Sequence, residues 1–219
     1  MDIVQIKMNT REKILYKALE MFNERGIEYV GLRELAGMLD MRVSNITYYF
    51  PTKDDLVFEL SKQLREANSE LLVETRSLTM TAFLEMLHRV YRNHVRFRCL
   101  LLSFVHLMHQ NARISAAYRK TQELRSNTIH TNLTALEEAG YLKPQDASDK
   151  EYLVSTISLI SRFWISEAAV LSRKQHPFDQ IRHYLFLVTK LLTPHATAKG
   201  KDEIRNFLAA TENALPHAS

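Results

Sequence analysis

Between residues 31 and 56 the chain reads GLRELAGMLDMRVSNITYYFPTKDDL. Two short helical stretches, 32–39 and 43–49, flank a bend at Asp40 and Met41. Leu32, Leu35, Ala36 and Leu39 give the first an apolar face, and Ile46 and Phe50 give one to the second. Pro51 has no N–H and cannot continue the ladder, and Thr52 suits the cap of a new helix. Lys53, Asp54 and Asp55 follow, with the two acids well placed in its first turn. Residues 43–49 carry an unusual number of small polar and hydroxyl side chains for a helix that only packs a core. The outer face of that helix suits contact with the edges of DNA bases.

The rest of the chain is expected to be helical as well. Only 5 Gly and 5 Pro interrupt 219 residues, which points to an all-α fold. Asn9 and Glu12 are spaced as a capping box, Ile14, Leu15, Ala18, Leu19 and Phe22 share one face, and Gly26 ends that helix. Three helices in some fifty residues, with a tight bend between the second and third, fit an N-terminal helix-turn-helix module. The fourth helix is expected to run to about Val73, and longer ones to cover 79–97, 99–110, 112–139, 148–174 and 178–193. Residues 1–54 are therefore expected to form the first domain and 55–195 a helical effector-binding and dimerisation domain. Residues 196–219 read as a tail of flexible composition, with Ile204, Phe207 and Leu208 able to form a short amphipathic helix.

Charge alone does not point to nucleic acid. Net charge is +4, yet residues 1–60 hold 8 Lys and Arg against 10 Asp and Glu. A module of that balance relies on where its few cations point and on helix N-termini. The apolar run 100–108, broken by Ser103 and His106, is far below the ~20 residues of a membrane span. Cys99 is the one cysteine, and the N-terminus lacks the apolar stretch of a signal peptide, so a cytoplasmic location is expected. His88, His94, His106 and His109 lack partners that would complete a metal site. No phosphate loop, nucleophile elbow or HExxH is present, so neither a cofactor nor an enzymatic activity is expected.

The order of residues resembles the TetR (tetracycline repressor) family of bacterial transcriptional regulators. The resemblance rests on Thr10, Arg11, Ile14, Leu15, Ala18, Phe22, Gly26, Leu35, Ala36, Ile46, Tyr49, Phe50, Lys53 and Leu56, within residues 9–60. The chain departs from the family pattern at Gly31, Arg42 and Thr47. The resemblance implies a homodimeric repressor that binds a palindromic DNA operator and responds to a small-molecule effector. Val43, Ser44, Asn45 and Thr47 stand toward the outward start of the recognition helix. There Asn45 can pair with adenine, and Val43 or Thr47 can meet a thymine methyl. Arg33 resembles a family position that reaches a guanine or a phosphate. Arg42, Tyr48, Tyr49 and Lys53 are candidates for phosphate contact, together with backbone amides at the starts of the second and fourth helices. The alternative reading is an all-helical binding or assembly module without sequence-specific DNA binding.

In the C-terminal half, Phe83, Met86, Leu87, Tyr91, Phe104, Met108, Tyr118, Phe163 and Trp164 are the candidates to line a largely apolar pocket. The two last long helices are apolar beyond one stripe and so need two burying partners, their own domain and a second subunit. Leu153, Ile157, Ile160, Leu171, Leu185, Val188 and Leu192 are the candidates for the dimer interface, while Val154, Ala168, Val170, Phe186 and Leu187 lie on other faces.

Overall fold

The structure, a computed structural model, describes residues 8–71, 78–171 and 177–213. Eleven α-helices and one 3-10 turn make up the regular structure among these residues, and no strand is present. The chain divides into two compact units. One holds the residues up to Arg65 together with Phe97–Ala117, and the other holds Glu66–Arg96 together with the chain from Tyr118 onward.

In the first unit, α1 (Thr10–Arg25) opens on the expected box. Asn9 Oδ1 accepts from the Glu12 amide at 2.9 Å, and the Glu12 carboxylate accepts from the Asn9 amide at 2.8 Å. Gly26 ends it at φ 92°, where any side chain is strained and a Cβ would press on the Tyr29 ring. α2 (Leu32–Met38) and α3 (Val43–Tyr49) follow, then α4 (Lys53–Ser69). Their core joins Ile14, Ala18, Phe22, Leu35, Ile46, Phe50, Leu56 and Leu60, all buried.

The stretch expected as one helix over 99–110 is two: α6 (Arg98–Leu102) and α7 (Phe104–Gln110). Ser103 sits at φ −89°, ψ 14°, outside the helical well, and the helix is interrupted there although no glycine or proline marks the place. The α6–α7 segment adds Phe97, Cys99, Leu100 and Leu107 to the core of the first unit. Asn23 on α1 holds the Cys99 amide at 3.0 Å, and burial pushes the Cys99 thiol up to about 12.

The second unit packs α9 (Ala147–Leu171) and α10 (Pro177–Leu192) against α5 (Met80–Arg96), with α11 (Ala198–Asn213) beside α5. α8 (Ala112–Glu138) enters this unit at Tyr118. An 18-residue window of α9 has mean hydropathy 1.3 and is apolar and long enough to cross a membrane by length and composition only. Its Leu153, Ile157, Trp164, Ile165 and Ala168 are buried in their own unit, as in the core helix of a folded domain.

Within the expected tail, Ala198–Asn213 form a docked helix, as the spacing of Ile204, Phe207 and Leu208 allowed. Gly200 explains why: a Cβ there would collide with the Tyr141 carbonyl oxygen. Lys143 donates its amide to the His195 carbonyl at 2.7 Å, and Thr197 donates to the Tyr141 carbonyl at 3.1 Å. Ile204 and Phe207 are buried on the inner side of α11. The expected extension of α4 to Val73 and the ends near 174 and 219 fall outside the described residues.

Candidate nucleic-acid interface

The bend before α3 is set by Asp40, at φ 50°, a conformation that Asp tolerates better than most side chains. The Met41 amide donates to the Ala36 carbonyl at 3.0 Å and fixes the direction in which α3 leaves. Helical spacing then sorts the seven residues of α3. Ile46 is wholly buried and Val43 packs against the core beside it. Ser44, Asn45 and Tyr48 face outward, and Tyr48 is 81 % exposed. Thr47 is half-buried, and its hydroxyl donates to the Ser44 carbonyl at 3.3 Å. Tyr49 is partly exposed and meets Tyr48 edge to face, with ring centroids 5.0 Å apart.

Cations border this face. Arg33 is exposed on α2, and Arg42 is exposed at the N-cap of α3, where its side chain makes no cap hydrogen bond. Lys53 is half-buried. Its ammonium donates to the backbone carbonyls of Glu28 and Val30, at 3.3 and 3.1 Å, and so ties α4 to the α1–α2 turn. Sequence reasoning missed this structural duty because the two carbonyls lie more than twenty residues away in the chain.

At the start of α4 the Thr52 and Asp55 amides are already engaged. Thr52 and Asp55 close a reciprocal box: the Asp55 amide donates to the Thr52 hydroxyl at 3.1 Å and the Thr52 amide to the Asp55 carboxylate at 3.2 Å. The Thr52 hydroxyl and the Arg113 guanidinium hold the Asp55 carboxyl below the usual carboxylate range. With Asp54 beside it, this helix start is acidic as well as capped. The first turn of α2, capped only by Gly31 backbone, has no such side-chain cap.

A helix-turn-helix with an outward polar flank on its second helix is therefore in place. A family model described as "Bacterial regulatory proteins, tetR family" matches residues 14–60, and one described as "Bacterial transcriptional repressor" matches 59–204. The chain belongs to the TetR family. Members are DNA-binding regulators, not enzymes. Among curated relatives, the "Probable HTH-type transcriptional regulator YttP" of Bacillus subtilis (strain 168) is 34% identical over 67 residues. That alignment covers 31% of this chain and 32% of the relative, so the chain matches about a third of the curated relative's length.

Solved structures share the fold over nearly the whole chain. A TetR-family regulator from Marinobacter aquaeolei VT8 has a TM-score of 0.84 at 22% identity, covering 95% of this chain and 100% of that one. Mycobacterium smegmatis AmtR has a TM-score of 0.64 at 18% identity, covering 98% and 100%. A Saccharomonospora viridis protein in complex with choline has a TM-score of 0.64 at 19% identity, covering 82% and 95%.

The candidate pocket residues of this TetR-family chain are divided between the two units. Phe104 and Met108 belong to the first unit, where Met108 packs on its core. Phe83, Met86, Leu87, Tyr91 and Trp164 are buried in the second, Phe163 faces partly outward, and Tyr118 is half-buried. Tyr91 stacks on Trp164 and on His94, at 5.1 and 5.8 Å. Its hydroxyl lies 3.2 Å from Ser161 Oγ, and the Trp164 N–H donates to His94 Nδ1 at 3.2 Å. Burial pushes the His94 imidazole down to about 3, with the Arg125 charge adding to the effect, so the ring is neutral. This is a packed aromatic core with its polar atoms satisfied. Among the described residues no group of three or more His, Cys, Asp or Glu could hold a metal ion.

The candidate dimer residues need a correction. Leu153, Ile157, Leu185, Val188 and Leu192 are buried within their own unit, and Ile160 is half-buried. They form the inward stripe, and only Leu171, at 71 % exposure, stands out in solvent. Besides Leu171, the exposed large apolar side chains of α9 and α10 among the described residues are Tyr152, Leu159, Phe163 and Val170, with Phe178, Phe186 and Leu187. On helices apolar all round, periodicity identifies two faces without saying which one turns inward.

Proposed function

We propose that this chain is a ligand-responsive repressor that binds a palindromic operator as a homodimer. The observation that carries the reading is the outward flank of α3, where Ser44, Asn45 and Tyr48 are exposed opposite a wholly buried Ile46. A helix placed this way can enter the major groove and offer the Asn45 amide to an adenine edge. Thr47 and Val43 stand close enough along the helix to meet a thymine methyl. Tyr48, Tyr49, Arg33 and Arg42 grip phosphates beside the groove, and Lys53 does so with the one N–H its two carbonyls leave over.

Two recognition helices spaced about 34 Å apart would read successive major grooves on one side of the duplex. The partner is a second copy of the chain, seated on the exposed apolar face of α9 and α10, with Tyr152, Leu159, Phe163 and Val170 at its centre. An effector bound in the second unit acts through its difference in affinity for two arrangements of the dimer. The choline complex of the Saccharomonospora viridis neighbour supports a small-molecule effector for this chain too. Such a regulator works in the cytoplasm, where the DNA is.

Fluorescence anisotropy with the DNA upstream of the chain's own gene tests the reading. The full-length protein is expected to saturate one site, and Asn45→Ala to weaken it by about 1–3 kcal/mol. Equal affinity for any duplex, or none, would instead support the assembly module.

A further inference from the structure

Among the described residues, two buried side-chain polar atoms have no hydrogen-bond partner: Ser158 Oγ and Arg162 Nε. They are four residues apart on α9 and so share one face, one turn from each other. Folded chains pair nearly all their buried polar groups, and each exception calls for a reason. Core packing supplies none, because an apolar side chain at position 162 would fill the space without burying an unmet donor.

A second guanidinium approaches from α8. The guanidinium carbons of Arg125 and Arg162 lie 6.0 and 5.9 Å from the centroid of the same ring, Tyr118. Arg162 also lies 5.9 Å from the Phe163 ring. Arg125 is largely desolvated, and the neighbouring Arg162 charge opposes its own. Guanidinium keeps its proton even so, so two positive charges share a sheltered space. Neither pairs with a carboxylate among the described residues. His94, which feels Arg125, is neutral and adds no negative charge. An open cavity of about 460 Å³ along α8 has Tyr118, Gln122 and Ser126 in its wall, which brings solvent to the edge of the shared ring.

We propose that Arg125 and Arg162, with the Ser158 hydroxyl and the Tyr118 ring, bind the anionic head group of a small organic molecule, a carboxylate or a phosphate. The proposal deepens the effector-responsive reading above and rests on it. Guanidinium groups recognise both head groups through paired, charge-assisted hydrogen bonds, and the Tyr118 ring offers an apolar wall to the rest of the ligand. The ligand that complements this site is opposite in charge to choline.

Thermal unfolding of the full-length protein, followed by its single tryptophan, Trp164, tests the site at constant ionic strength. The probes are benzoate, phenyl phosphate and the neutral benzyl alcohol. Benzoate or phenyl phosphate is expected to raise Tm saturably by several degrees, and benzyl alcohol to leave it unchanged. The stronger of the two anions identifies the head group. Arg162→Met is expected to abolish the rise and, in chloride alone, to unfold at a higher temperature than the parent. Arg125→Met is expected to abolish the rise as well. Should either variant fail to fold, Ser158→Ala, which removes only the orphan hydroxyl, is expected to weaken anion binding several-fold. The proposal is overturned if neither anion raises Tm, if benzyl alcohol raises it equally, or if the rise survives the substitutions. No DNA is present in this measurement. An anion-dependent Tm with no operator binding would remove the regulator reading and leave the anion site standing.

Discussion

Arg113, in the first turn of α8, meets the Asp55 carboxylate, in the first turn of α4, at 2.5 Å. The same guanidinium lies 4.2 Å from the centre of the Phe58 ring. One carboxylate therefore closes the Thr52 cap and anchors a helix more than fifty residues away.

That double role makes Asp55 sensitive to acid. Its folded pKa is depressed, first by the Thr52 hydroxyl and then by Arg113. A depressed carboxyl contributes stability above its ordinary value of 3.8 and loses it as pH falls through the lower, folded value. Asp55→Ala is expected to cost about 1 kcal/mol at neutral pH, most of it from the cap, because a partly exposed ion pair adds little. In strong acid the two proteins should unfold alike. Denaturant titrations at both pH values check this, and a cost that persists in acid would contradict it.

His94 gives a second acid effect, at higher pH. Its Nδ1 accepts from the Trp164 N–H, and burial holds the imidazole down at about 3 against an ordinary 6.5. As pH falls below 6.5 the unfolded chain takes up a proton here that the folded chain refuses, so stability declines. The limiting slope is about 1.4 kcal/mol per pH unit. His94→Gln keeps an acceptor for Trp164 and does not titrate. Urea midpoints for this variant are expected to fall less steeply with acid than those of the parent, and identical slopes would refute the assignment.

Gly200→Ala places a methyl group against the Tyr141 backbone oxygen, which has no rotamer by which to move away. The expected loss is about 1–3 kcal/mol. Gly37→Ala, at an exposed helical site with open space around it, is the control and should be neutral or slightly stabilising. Thermal melts of both variants decide the matter.

Leu159 and Val170 are exposed on the outer face of α9, at 55 % and 75 %. Leu159→Glu is expected to leave the helical circular dichroism spectrum unchanged and to convert the proposed dimer to a monomer in analytical ultracentrifugation. Ile157→Glu, on the buried face, should unfold the protein instead. If Leu159→Glu remains dimeric, the partner copy sits elsewhere.

What the sequence disclosed and what it withheld divide along the range of the interactions. The Asn9–Glu12 box and the stop at Pro51 depend on residues within one turn, so their residue types alone revealed them. The polar flank of α3 was visible because Ser44, Asn45 and Tyr48 fall together at helical spacing, opposite Ile46. Lys53 looked like a free cation, since its carbonyl partners come from residues 28 and 30. The stretch 197–200 looked flexible because the contact that requires Gly200 is made with Tyr141, across the docked α11. Ser103 breaks a helix without any breaker residue, and on α9 an apolar pattern on two faces concealed which of Ile157 and Val170 points inward.

The sheltered position of Cys99 gives the experimenter a clean background. Its sulfur is nearly inaccessible and stays protonated far above neutral pH, so maleimide dyes have no competing native target. A single cysteine placed in either unit will carry its fluorophore alone, and distances between labelled copies become measurable without first redesigning the protein.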